Sequence, residues 1–132
     1  MKAFTVSLLL ALSVSILPPT TRAQEPKTEK PKQFVYVLHL APRLYSDNAW
    51  TDADKQAVHQ HLVRLQEAIK SGQLILAGRT NEPGDKTFGI AIFTAKDEES
   101  ARKFMQEDPA VVAGIMTAEL HPFMLALERK NP

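Results

Sequence analysis

Hydrophobic residues along this chain form four extended runs that predict β-strands. Three runs rich in β-branched or aromatic side chains predict strands at 34–40, 74–78 and 88–94. The last extended segment covers 117–127, and we expect Pro122 to break it in two, since proline cannot donate a hydrogen bond to a sheet.

Two helices are predicted between these strands. The first covers 51–71, where Thr51 caps the first turn and Gly72 ends the helix in a left-handed conformation. Its apolar stripe consists of residues spaced three or four apart: Val58, Leu62, Leu65 and Ile69. The second helix begins near Asp97, where consecutive carboxylates suit the helix dipole. The order is therefore β-α-β-β-α-β, the split βαβ arrangement of a single α+β domain.

Four antiparallel strands with both helices on one side leave the opposite face of the sheet uncovered. A large apolar face is seldom left to solvent, so we expect a second copy of the chain to cover it. The predicted assembly is a homodimer in which the two sheets face each other.

The N-terminal segment is typical of a secretory signal peptide. A short positive start precedes an uncharged apolar run over 3–17, and small residues follow at the positions that a signal peptidase reads. We predict a signal peptide at 1–23, a polar linker at 24–32 and the folded domain at 33–130, with export to the periplasm or the medium. An uncleaved N-terminal anchor is the alternative; after cleavage we expect no membrane contact.

Composition limits the possible chemistry. The chain has no cysteine, which excludes disulfides, thiolate metal sites and cysteine nucleophiles. Charges of both signs are mixed and the formal net charge is +1, so we expect no nucleic-acid partner. His59 and His61 lie on different sides of the predicted helix and cannot share a metal ion there. We expect neither a metal nor a tightly bound cofactor.

Four short motifs occur in an order and at a spacing that are together specific. They are His61–Leu65, Gly72–Gly78, Asp108–Gly114 and Glu119–Phe123. Over about 34–127 the chain thereby resembles the YciI-like, YCII-related family. The resemblance implies a ferredoxin-like, dimeric α+β barrel. It also implies a histidine–aspartate pair suspected of catalysis, which falls here on His61 and Asp108.

The family also sets expectations about substrates and location. Some relatives act on small aromatic or lactone compounds, including the dechlorination of hydroxylated aromatics. The family is largely cytoplasmic, and this chain departs from it by carrying a predicted export signal.

Both members of the pair also have an ordinary structural explanation. His61 lies on the side of the helix that faces the sheet, where an imidazole can simply be a buried residue bonded to a backbone carbonyl. Asp108 precedes Pro109, which is the typical sequence of a helix N-cap followed by the first helical residue. Capping and pairing with His61 are compatible, because a carboxylate has two oxygens.

Three further residues are candidates for substrate binding. Arg79 directly follows the strand predicted at 74–78 and is suited to holding an anionic substrate, although a surface arginine is the plainer interpretation. Arg43 and Trp50 lie in the loop before the first helix and are candidates for a pocket rim. Asp54 is two turns before His61 and can reach the imidazole, but first-turn capping is the simpler explanation.

The sequence leaves more than one function open. The leading hypothesis is a cofactor-independent enzyme in which His61, oriented by Asp108, transfers protons on a small cyclic or carbonyl compound, in lyase-, isomerase- or dehalogenase-like chemistry. The alternative is a non-catalytic domain of the same fold that binds a small ligand. The third hypothesis is a haem-binding barrel in which His61 or His39 is the axial ligand.

Overall fold

The computed structural model describes residues 30–129. The predicted signal peptide at 1–23, most of the predicted linker and residue 130 of the predicted domain lie outside this range. The first strand begins at Lys32, one residue before the predicted start of the domain. No helix within 30–129 is both long enough and apolar enough to span a bilayer.

Within the described range, a four-stranded antiparallel sheet carries helices on one face. In chain order the elements are β1 (Lys32–Leu40), α1 (Asp52–Lys70), β2 (Leu74–Arg79), β3 (Phe88–Ala95), α2 (Glu98–Gln106), α3 (Pro109–Val112) and β4 (Met116–Phe123). The strand order across the sheet is β2-β3-β1-β4. The predicted α+β class and ferredoxin-like βαββαβ order are confirmed.

Capping hydrogen bonds at its start and a left-handed glycine after its end define the limits of helix α1. The Thr51 hydroxyl accepts from the backbone amide of Asp54, while the Asp54 carboxylate accepts from the backbone amide of Thr51, forming a capping box. Gly72, at φ 78°, provides the left-handed turn after the helix. Both predicted ends of the helix are confirmed.

The buried face of α1 differs from the predicted apolar stripe. Its buried residues are Asp54, Ala57, His61, Leu65 and Ala68. Leu62 and Ile69 of the predicted stripe are 51% and 50% exposed. The inner face therefore combines two small alanines with His61 and Leu65, while Leu62 and Ile69 lie at its margin.

Strand β4 runs through Pro122, so the predicted break there is wrong. Pro122 is in register with Phe34 of β1. Because β4 pairs only with β1, it is an edge strand, where proline is tolerated for lack of a second neighbour.

The core between the sheet and the helices is built on aromatic residues of the central strands. Tyr36 of β1 and Phe93 of β3 are fully buried, with ring centroids 5.7 Å apart, and Phe104 of α2 lies 4.7 Å from Phe93. On the opposite face of the sheet, Val35 and Val37 of β1 are in register with Ile92 and Ile90 of β3. Side chains alternate between faces along a strand, so these four form an apolar patch away from the helices.

Candidate active site

His61 and Asp108 meet beneath the helical layer. Nδ1 of His61 lies 2.8 Å from each carboxylate oxygen of Asp108. The histidine comes from the buried face of α1 and is 7% exposed, while the aspartate is 0% exposed. The fold therefore joins two side chains that are 47 residues apart in sequence.

Asp108 is fixed by two further donors. Its Oδ1 accepts from the backbone amide of Ala110 at 2.9 Å, which makes it the N-cap of α3, followed by Pro109 at the first helical position. Its Oδ2 accepts from the phenol of Tyr36, also at 2.9 Å. Both roles considered for Asp108, capping and contact with His61, are present at once.

The hydrogen bonds keep this buried carboxyl group ionised. Burial alone would raise the pKa of Asp108, but the bonds from His61, the Ala110 amide and Tyr36 outweigh it and hold the pKa below its ordinary value. An ionised carboxylate only accepts, so Nδ1 of His61 must donate. The neutral imidazole then carries its proton on Nδ1 and presents a lone pair at Nε2.

Tyr36 is the member of this site that sequence reasoning missed. It is 72 residues from Asp108, so no local spacing links the two. Burial and then the neighbouring Asp108 charge raise the pKa of the Tyr36 phenol, so it stays neutral and donates. The hint in the sequence is a tyrosine between apolar residues of a predicted buried strand, because its hydroxyl needs a partner when buried.

A cavity of about 580 Å³ opens beside the imidazole. It is bounded by α1, the ends of β1, β2 and β3 nearest the 41–50 loop, and the start of β4. Its walls are mainly apolar and include Leu38, Leu40, Trp50, Val58, Leu65 and Met116. His61 also lines the cavity, and its Nε2 has no hydrogen-bond partner among residues 30–129. The basic nitrogen of the pair is thus available to a small molecule in the cavity.

Two of the three predicted substrate-binding residues line the cavity and the third does not. Trp50 and Arg79 line the cavity. Arg43 does not; its guanidinium donates two hydrogen bonds to Asp54, at 2.7 and 3.1 Å. The indole of Trp50 donates to the carbonyl of Leu44 at 3.1 Å, which fixes the ring as part of the wall.

Asp54 organises the loop before α1 and makes no contact with His61. Hydrogen bonds from Arg43 and Thr51 hold the pKa of Asp54 well below its usual range. Arg43 and Asp54 thus tie the 41–50 loop, and with it Trp50, to the first turn of the helix. Among residues 30–129, no group of three or more histidine, aspartate or glutamate side chains is arranged to hold a metal ion.

Comparison with known proteins places these observations in a family. The family model of the YCII-related domain matches residues 35–123. Among solved structures, the fold is similar to the 5-chloro-2-hydroxyhydroquinone dehydrochlorinase of Burkholderia phenoliruptrix, solved in complex with 2,5-dihydroxybenzoquinone. The two are 17% identical and superpose with a TM-score of 0.54, covering 70% of this chain and 93% of the dehydrochlorinase chain. Among curated proteins, no sequence matches this chain.

Proposed function

Because the chain belongs to the YCII-related domain family, we propose that it is a small-molecule enzyme in which His61 is the general acid and base. The observation that carries the proposal is the arrangement of one imidazole. Its Nδ1 is held by an ionised, fully buried carboxylate, and the ring lines an apolar cavity. A general base must be oriented and must also reach its substrate, and this arrangement meets both requirements.

Asp108 acts as a positioning residue in this mechanism. It fixes the ring and the tautomer of His61 and stabilises the imidazolium that forms when Nε2 takes a proton. The full burial of Asp108 lowers the local polarity and so strengthens the attraction between that imidazolium and the carboxylate.

Elimination is the reaction class that best suits one acid–base group and an apolar cavity. Nε2 removes a proton from a C–H or O–H bond conjugated with a carbonyl, and the electron pair of that bond moves through the conjugated system. For a halogenated substrate the pair expels halide from carbon, and the proton passes from His61 to water. For an isomerase the same proton returns to another carbon. The dehydrochlorinase of similar fold supports elimination as the first reaction to test.

A non-catalytic binding domain is the competing interpretation. It would be favoured by a histidine beyond hydrogen-bond distance of Asp108, with both ring nitrogens satisfied by backbone. The 2.8 Å contact and the cavity beside the ring support the catalytic proposal instead.

The assembly we propose is a homodimer, formed through the sheet face that the helices leave uncovered. Its apolar patch continues at its margins into the exposed side chains of Leu76 and Phe88. A second copy is the partner whose matching apolar patch would cover it. Export through residues 1–23 likewise remains our proposal for the location of the protein.

The decisive experiment compares two histidines of one helix. Purified protein is assayed with 5-chloro-2-hydroxyhydroquinone and related halogenated or lactone compounds, and turnover is measured for the native chain, His61→Gln and His59→Gln. His59 is an exposed neighbour on α1 and is the matched control. Loss of a positioned general base lowers kcat by roughly 10²–10⁴-fold, so we expect that loss in His61→Gln alone. If a folded His61→Gln protein turns over a substrate at the native rate, the proposal is wrong.

A further inference from the structure

Among residues 30–129, a single permanently charged side chain lines the cavity beside His61. Its walls are mainly apolar, no carboxylate lines it, and the single cation among the lining residues is Arg79. A cavity of this composition disfavours cationic molecules and very polar ones, because their groups would be desolvated without partners. The molecule that fits is largely apolar and bears a negative charge at the Arg79 end.

Among the described residues, Arg79 differs from three other arginines in lacking a carboxylate partner. Arg43, Arg64 and Arg102 each lie within 4 Å of an aspartate or glutamate. For Arg79 no such contact occurs within residues 30–129. An arginine has a planar set of donors that matches a carboxylate or an enolate oxygen pair, and it remains charged over the whole working pH range. Arg79 is exposed and lines the cavity, so its guanidinium is available to an anionic ligand there.

The sheet beneath Arg79 leaves room for a flat group. Arg79 of β2 is in register with Gly89 of β3, which is in register with Leu38 of β1. These three positions share the sheet face that packs against the helices, and the middle one has no side chain. The row of side chains therefore has a gap at Gly89, and because Gly89 lines the cavity, a flat group there can lie against bare backbone.

We infer that the ligand is a single-ring, planar compound with one anionic oxygen group, such as a ring carboxylate or an enolate. The ring lies above Gly89, the anion pairs with Arg79, and the remaining edge of the ring faces Nε2 of His61. The part that concerns His61 rests on the proposed function, while the binding geometry at Arg79 and Gly89 does not.

The test is a binding measurement that needs no turnover. Trp50 is the only tryptophan in the chain and lines the cavity, so its fluorescence reports occupancy. The probes are 4-hydroxybenzoate and 4-hydroxybenzamide, which have nearly the same shape and differ in charge. We expect the native protein to bind the anion more tightly. Arg79→Gln should weaken binding of the anion about tenfold, equivalent to ~1.4 kcal/mol, and leave binding of the amide within about twofold.

Two further variants separate charge from shape. Arg102→Gln removes an exposed arginine of α2 and should leave both affinities unchanged. Gly89→Ala narrows the gap without strain, because the added Cβ would lie 3.5 Å from both the Leu38 Cβ and the Gly78 carbonyl oxygen, an ordinary contact distance. This variant should weaken binding of both probes.

The outcomes distinguish this inference from the proposed function. Equal affinities for the two probes in the native protein, no saturable binding of either, or unchanged anion affinity in Arg79→Gln would overturn the anion site. Unchanged affinities in Gly89→Ala would overturn the position of the ring. If His61→Gln keeps the anion preference and also turns over a substrate normally, the inference stands and the proposed mechanism fails.

Discussion

Removing one hydroxyl group, with Tyr36→Phe, tests whether the buried carboxylate depends on all three of its donors. The phenol donates to Oδ2 of Asp108 at 2.9 Å, and both residues are fully buried. Phenylalanine keeps the ring and its contacts with Phe93 and Phe104, so little but the hydrogen bond is lost. A hydrogen bond to a charged group contributes about 1.5–3 kcal/mol to stability. We expect a loss of about 2 kcal/mol, since His61 and the Ala110 amide still satisfy the carboxylate.

The assay is urea unfolding at neutral pH together with thermal unfolding. For a domain of this size, about 2 kcal/mol lowers Tm by roughly 10 °C. The second tyrosine provides a matched control, because Tyr45 is exposed in the loop before α1 and Tyr45→Phe should change little.

The pH dependence of the unfolding free energy provides an independent check of this prediction. The pKa of Asp108 is lower in the folded protein than its ordinary value, so its ionised form stabilises the fold above about pH 4, and that contribution is lost as pH falls through the folded pKa. The difference between Tyr36→Phe and the native protein should therefore shrink in acid. A loss below about 0.5 kcal/mol at neutral pH, a value typical of an exposed substitution, would refute the reasoning.

Three other expectations can be checked separately. Asp108→Asn should flatten the acid loss of stability below about pH 4, measured by urea unfolding at several pH values, and a native-like slope would show that another group causes it. The same variant should lower kcat for any identified substrate with little change in KM, because it disturbs the orientation of His61; a change confined to KM would contradict this role. Val37→Glu places a charge in the apolar patch on the uncovered sheet face, so sedimentation velocity should show a dimer for the native protein and a monomer for the variant; identical sedimentation would count against the sheet-to-sheet dimer.

Local sequence signals predict α1 well because residues with a clear backbone preference lie at both of its ends. The Thr51 cap and the left-handed Gly72 fix both ends of α1. The break predicted at Pro122 was wrong because strand order is a long-range property. Only the folded sheet shows that β4 is an edge strand, where proline costs little.

Only part of the candidate site can be predicted from the sequence. His61 and Asp108 were expected to meet because of their family motifs. The contribution of Tyr36 depends on the fold bringing β1 to the N-cap of α3, and no spacing in the sequence indicates that contact. Arg43 and Arg79 looked alike in the sequence, and only the fold shows that one is paired with Asp54 while the other lines the cavity.

The central claim is that Asp108 holds the imidazole of His61 with its proton on Nδ1 and its lone pair on Nε2, facing the cavity. The most direct test is ¹⁵N NMR of the histidine side chains, with His61 assigned by comparison with His61→Gln and the spectrum recorded at a pH where the imidazole is neutral. We predict the Nδ1–H tautomer in the native protein and its loss as the dominant form in Asp108→Asn. A native His61 with its proton on Nε2, or with the two tautomers in rapid exchange as in free histidine, would contradict the account.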